Sequence, residues 1–116
     1  MNDSILTTIK KLLGIDEDDT SFDTDIIVNI NMAINVLLQL GVGPATGFAI
    51  TGATETWSDY ISDMSKLEMV KTYIYLKVRL IFDPPSSSRV IESYENMIKE
   101  LEFRLNVQVD PPMTED

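Results

Sequence analysis

The chain of 116 residues contains no histidine and no cysteine. Their absence excludes zinc fingers, Ser-His-Asp triads, cysteine nucleophiles and most transition-metal sites, which need imidazole or thiolate groups. It also excludes disulfide bonds, so the chain is either intracellular or stabilised by packing alone. The sequence has neither a P-loop nor a dinucleotide-binding fingerprint. We therefore expect a protein that is not an enzyme and that has no cofactor and no metal ion.

Basic residues and long apolar runs are also scarce. Nine Lys and Arg stand against nineteen Asp and Glu, a formal net charge of −10, which disfavours binding to nucleic acid phosphates. The apolar run at 5–15 is interrupted by Lys10 and Lys11 and falls short of the roughly 20 residues that span a bilayer. Because Asp3 precedes it rather than a basic stretch, a secretory signal is not expected. The sequence predicts a cytoplasmic protein with no membrane partner.

Hydrophobic residues make up 44% of the chain, enough for the core of one domain. Their spacing follows a period of 3.6 residues in four segments, which predicts four helices. These helices are expected at about 3–13, 24–40, 65–82 and 88–106. The third segment is apolar over most of its girth, which indicates a helix central to its bundle or shared with another subunit.

Residues at the segment ends agree with these boundaries. Gly14 and Gly41 suit the left-handed position that ends a helix. Ser65 and Glu68 have the spacing of a capping box for the third helix, in which each side chain satisfies a free backbone N–H. Pro84 ends that helix, since proline lacks the N–H and restricts the residue before it. Short connections at 14–23 and 83–87 favour antiparallel neighbours.

Residues 41–57 contain four of the five glycines and a brief apolar alternation. We interpret them as a long connection holding a marginal hairpin that leans on the helices or on a neighbouring chain. The predicted fold is all-α: a four-helix antiparallel bundle-like domain over 1–109, with a Gly-rich loop or small hairpin between helices 2 and 3. Residues 110–116 form an extended C-terminal tail.

Two carboxylate patterns invite a metal interpretation. In the acidic run that begins at Asp16, an EF-hand would need glycine at the sixth position and glutamate at the twelfth, where Ser21 and Ile27 stand. A looser divalent-cation site there stays open beside the alternative of solvated helix caps. Glu92 and Glu95 have a Glu-x-x-Glu spacing, but no second pair appears on another predicted helix.

Several short motifs, in their order and spacing, resemble the head–tail connector (portal adaptor) family of tailed bacteriophages and prophages. The resemblance covers about residues 5–109. It rests on the segments 13–15, 22–27, 40–44, 47–52, 55–57 and 82–85 together with the acidic run. It implies a structural subunit that forms a ring, usually of twelve copies, beneath the portal protein. Such a ring extends the DNA channel and docks the stopper or head-completion protein. The subunit would then be located in the virion, and in the host cytoplasm during assembly.

The resemblance also suggests which residues serve each contact. Candidates for binding the portal are the end of the last helix and the tail: Leu105, Asn106, Val107, Gln108, Val109, Pro111 and Pro112. Candidates for the subunit or stopper interface are the apolar residues in and after the Gly-rich segment: Phe48, Ile50, Trp57 and Tyr60. Residues 1–65 contain two basic and ten acidic residues, and such charge keeps DNA phosphates from adhering to a channel wall. We therefore expect Asp16, Glu17, Asp18 and Asp19 to face the channel, through which DNA only passes.

Two other readings use the same composition. A small acidic helical binder, of the antitoxin or DNA-mimic type, would neutralise a basic partner in a tight one-to-one complex. A carboxylate–metal hydrolase would need two facing acidic pairs and would be stabilised by Mg²⁺ or Mn²⁺.

Overall fold

The computed structural model describes residues 3–109, with the side chains of residues 3–106, and this part of the chain is helical without a strand. The predicted all-α class is confirmed. The helices are α1 (Ile5–Leu13), α2 (Asp23–Gln39), α3 (Trp57–Tyr60), α4 (Leu67–Phe82) and α5 (Ser88–Val109), with a 3₁₀ turn at Met64–Lys66 directly before α4. None of the helices within residues 3–109 is both long and apolar enough to cross a membrane.

Helix α4 lies at the centre of the structure. It packs most extensively against α2, and also against α5 and α1. The start of α2 meets the end of α4, where the rings of Phe22 and Phe82 make an edge contact with centroids 5.4 Å apart. These two helices are therefore antiparallel. Val70, Tyr73 and Ile74 of α4 are completely buried, which agrees with the central position predicted from its apolar girth.

The ends of α1 follow the sequence prediction, but the start of α4 does not. Gly14 ends α1 with a positive φ of 81°, the conformation that favours glycine. At α4 the predicted capping box between Ser65 and Glu68 is replaced by Asp63. The Asp63 carboxylate accepts hydrogen bonds from the Ser65 backbone N–H (2.9 Å) and hydroxyl (2.7 Å). A 3₁₀ turn at Met64–Lys66 precedes α4, which begins at Leu67.

The small hairpin predicted in the Gly-rich segment is wrong. Instead, Thr56 forms a single antiparallel bridge with Ser4, the residue before α1, and the Ile5 N–H donates to the Glu55 carbonyl (3.0 Å). Glu55 is turned back on its own loop, where its carboxylate accepts from the Thr51 N–H (2.9 Å) and hydroxyl (2.8 Å). Burial alone would raise the pKa of Glu55, but these hydrogen bonds outweigh it and lower the pKa. The segment therefore pairs with the start of α1 rather than with itself.

Asn31 of α2 fastens the same segment from the other side. Its side-chain amide donates to the Ile50 carbonyl (3.0 Å), and its amide oxygen accepts from the Ile50 N–H (2.8 Å). One side chain thus satisfies both backbone groups of a residue that is almost completely buried. The loop is held by polar contacts with two helices rather than by pairing with itself.

Gly43 is a position at which the fold depends on glycine. Its φ is +115°, and a Cβ there would lie 2.5 Å from Tyr60 Cε1 and 2.8 Å from Leu38 Cδ2. We expect Gly43→Ala to destabilise the protein by about 2–4 kcal/mol, from left-handed strain plus overpacking. Gly52→Ala, where a Cβ meets nothing within 4 Å, is the matched control. Urea unfolding of both variants measures the difference, and equal midpoints would contradict the prediction.

Candidate interface surfaces

The acidic linker, defined as residues 15–22, connects α1 to α2 and exposes all four predicted channel residues. Asp16 and Asp19 each accept a hydrogen bond from a backbone N–H two residues later, both at 3.0 Å. Hydrogen bonds from Ser21 lower the pKa of Asp19. Across residues 3–109, no three acidic side chains come together in a group that could hold a metal ion. The linker therefore presents a compact negative surface whose carboxylates help to form its own turns.

Lys10 fixes the position of this linker. Its side chain is only 3% exposed, its Nζ lies 2.9 Å from Asp23 Oδ1, and it donates to the Glu17 carbonyl at 3.0 Å. The ammonium group thus joins the middle of the linker to the first residue of α2. In the sequence, Lys10 is recognisable only as a break in an apolar run, because no local pattern indicates that Asp23 comes to lie beside it.

The apolar residues predicted as interface anchors are placed in the interior. Ile50, Trp57 and Tyr60 are at most 2% exposed, and Phe48 is half-buried, stacked on the Tyr60 ring with centroids 5.1 Å apart. The Trp57 indole N–H donates to Thr8 Oγ1 (3.0 Å), and the Tyr60 hydroxyl donates to a backbone carbonyl (3.0 Å). Burial raises the pKa of Tyr60. Three of the four side chains therefore hold one copy together and leave almost no surface for a partner.

Within residues 3–106, nine other large apolar side chains are exposed instead. They are Leu12, Phe22, Val28, Met32, Met64, Ile81, Val90, Met97 and Phe103. Most of them come from α2, α4 and α5, in which the sequence stripes continue beyond the buried face. The sequence pattern does not distinguish these side chains from core residues. The helical period shows which face of a helix is apolar, but it does not show how much of that face a neighbouring helix covers.

One of them, Met97, lines a groove between α4 and α5 with a volume of 630 Å³. We call it the methionine groove. Its apolar lining comes from Met69 of α4 and from Met97 and Leu101 of α5. Its charged residues are Glu68, Arg89, Glu92 and Glu100. Methionine adapts its shape readily to a partner. Glu68 and Glu100 are ion-paired with Lys71 (3.7 Å) and Arg104 (2.7 Å), whereas Glu92 has no ion pair among the described residues.

A second surface lies on the opposite side of α5, and we call it the lysine flank. Its residues are Lys77, Leu80, Ile81, Glu95, Ile98, Lys99 and Glu102. Ile81, 57% exposed, also borders the cleft of Phe22 and Val28 at the start of α2, so the two apolar areas are continuous. The sequence predicts i, i+4 ion pairs at Glu95–Lys99 and Glu100–Arg104. The structure forms the second, at 2.7 Å, whereas Lys99 has no ion pair among the described residues.

The seam between these two surfaces is fixed by a polar contact. The Tyr73 hydroxyl of α4 donates to Glu102 Oε2 of α5 at 2.7 Å. Burial and the neighbouring Glu102 carboxylate both raise the pKa of Tyr73. Glu102 is thereby turned towards α4, and its charge is partly withdrawn from the lysine flank.

The predicted portal-binding residues differ in their exposure to solvent. Leu105 is completely buried, whereas Asn106 is exposed. Val107, Gln108 and Val109 continue α5, but their side chains lie outside the described residues, as do Pro111 and Pro112. Phe103, 68% exposed on the outer face of α5, is an additional candidate that the sequence stripe does not indicate.

Comparison with known proteins gives one match. A family model described as phage connector protein matches residues 5–112. The chain belongs to this phage connector family. No curated protein and no solved structure matches it. The connector's individual surfaces are therefore interpreted from its own structure.

The Lys10–Asp23 pair gives a direct test of how the connector holds its acidic linker. We expect Asp23→Asn to destabilise the connector by about 2 kcal/mol, because it leaves a buried ammonium without a carboxylate. Breaking a fully buried pair costs about 3–5 kcal/mol, and Asp23 is 25% exposed, which reduces the effect. Asp25→Asn, an exposed carboxylate in the same helical turn, should change stability by less than about 0.5 kcal/mol. Thermal unfolding of both variants measures this, and equal losses would refute the role of Lys10.

Proposed function

We propose that this connector is a structural, non-catalytic subunit that forms a ring beneath the phage portal, extends the DNA channel and docks the stopper protein. The observation that carries the proposal is the family match, which spans nearly the whole chain. The ring geometry, the stopper contact and the twelve-copy number are part of the proposal. In the particle the subunit lies at the head–tail interface, and before assembly it lies in the host cytoplasm.

Exposed apolar surface supports a role in assembly. The methionine groove and the lysine flank lie on the two sides of α5, and Ile81 and Met97 expose about half of their side-chain surface. Exposed apolar patches of this kind are typical of protein–protein contact sites. A ring uses such surfaces between copies, so they remain open in one copy alone.

The acidic linker is our candidate for the channel wall. Its four consecutive carboxylates at 16–19 are exposed and are fixed in place by Lys10. A negative surface repels DNA phosphates and lets the duplex slide without adhering. In a ring the same charges repeat in every copy, which multiplies the effect.

The end of α5 is our candidate for the portal contact. Phe103 and Asn106 lie on exposed positions near the end of this helix, and residues 107–112 follow them directly. An exposed aromatic ring is a common anchor in protein interfaces. Leu105 contributes indirectly by holding α5 on the core, because its own side chain is buried.

The portal proposal predicts a loss of binding when the end of the chain is removed. The full connector mixed with the portal of its phage should give rings bound to the portal in negative-stain images. A chain ending at Asn106 should stay folded, because Leu105 keeps its core contact, yet fail to co-purify with the portal. Circular dichroism of the truncated chain controls for folding. Retained co-purification would refute the portal assignment, and a one-to-one complex without rings would favour the acidic regulatory binder.

The channel proposal predicts sensitivity to charge reversal in the acidic linker. Glu17→Lys with Asp18→Lys should lower the infectivity of assembled particles, since cations on the wall bind phosphate and slow DNA passage. Neither of these carboxylates accepts a hydrogen bond from another described residue, so stability should not change. The control reverses Asp3 and Asp83, two exposed carboxylates that lie outside the linker, the methionine groove and the lysine flank. Equal infectivity of the linker variant and the control would contradict a channel-facing position.

A further inference from the structure

A closed ring of more than two copies needs two different surfaces on each copy, because every contact joins the front of one copy to the back of the next. This inference rests on the proposed ring. Helix α5 separates two exposed surfaces that differ in composition, the methionine groove and the lysine flank. This difference in composition indicates which surface of one copy contacts which surface of the next.

The two surfaces carry charged groups that can pair with each other. The methionine groove contains three glutamates and one arginine. The lysine flank contains two lysines and two glutamates, and Glu102 on it is already engaged by Tyr73. Among the described residues, neither Glu92 of the groove nor Lys99 of the flank has an ion pair or hydrogen bond. The unpaired Glu92 carboxylate of one copy can therefore pair with the unpaired Lys99 ammonium of the next.

The same charges disfavour the pairing of the methionine groove with itself. Glu68 and Glu100 are ion-paired with Lys71 (3.7 Å) and Arg104 (2.7 Å), but a two-fold contact would bring the Glu92 carboxylates of both copies into a site that excludes water. Like charges in such contacts are unfavourable, so a symmetric dimer through this groove is opposed.

The apolar side chains of the two surfaces can also pack against each other. The lysine flank projects Ile81, which is 57% exposed and lies next to the exposed Val28 and Phe22. The methionine groove is concave, and Met97, 44% exposed, with Met69 provides an adaptable apolar floor. A projecting branched residue on one copy thus faces a flexible apolar groove on the next.

We propose that the methionine groove of one copy receives the lysine flank of the neighbouring copy, with Ile81 on the groove floor and Lys99 beside Glu92. The contact is heterologous, so it propagates around the ring and cannot close as a dimer. The occupant of the groove is a second copy of this chain.

The absence of cysteine gives a sharp test, because an introduced thiol is unique in each chain. We prepare Met97→Cys and Ile81→Cys as separate variants, mark one with an affinity tag, and assemble them with the portal protein of the same phage. A short bismaleimide then crosslinks thiols that lie close together. The expected result is a crosslinked dimer in the mixture and none with either variant alone. Leu12→Cys, at 49% exposure on α1, replaces Met97→Cys as a control that should give no dimer with Ile81→Cys.

The outcomes separate this pairing from the proposed function. Crosslinking of Met97→Cys with itself would show a symmetric contact and overturn the proposal. Rings visible by electron microscopy without a crosslink in the mixture would overturn the pairing alone and leave the proposed connector ring unaffected.

If the mixture gives neither rings nor crosslinks while the wild-type chain forms rings, charge exchange provides the second measurement. Glu92→Lys alone should then abolish rings, and Glu92→Lys with Lys99→Glu should restore them; failure to restore overturns the pairing. Absence of rings with the wild-type chain would overturn both proposals.

Discussion

The structure depends on one constraint, which is that α4 is apolar around most of its circumference and has to be covered on more than one side. Helices α1 and α2 cover it from one direction, where Val70 and Ile74 are completely buried. On another side it is covered by α5, a single helix. A single helix of this width contacts its neighbour along one narrow seam, so apolar side chains stay open at both edges of that seam. The surfaces that we assign to assembly are a direct consequence of this incomplete cover.

The Gly-rich segment packs against α1 and α2 without forming a sheet. Its backbone groups need partners because part of it is buried. Asn31 supplies two of them, the residues before α1 supply others, and Trp57 fills the interior behind them. The same side chains that resemble interface anchors in the sequence are therefore part of the core. The exposed apolar side chains lie mainly on α2, α4 and α5 instead, and these are the surfaces that we assign to contacts with neighbouring copies.

The fold was predictable to the extent that it depends on local rules. Apolar spacing and end signals such as Gly14 define long helices well, since both arise from neighbouring residues. The two errors have different causes. Thr56 and Ile50 pair with Ser4 and Asn31, which are remote in the chain and invisible in a window of a few residues, so a hairpin was expected where none forms. Asp63 lies only two residues before Ser65, but the pattern of a capping box starts at Ser65 and does not include it.

For the candidate site, the sequence by itself determined the chemistry available: abundant carboxylates, no imidazole or thiol, and apolar stripes longer than one core requires. Composition and period fix these properties because they do not depend on where the chain folds back. Only the tertiary structure decided which apolar residues remain open, as for Met97 and Ile81, and which close, as for Trp57 and Tyr60. Burial is a property of pairs of elements, and the width of the contact between α4 and α5 exists only once both helices are packed.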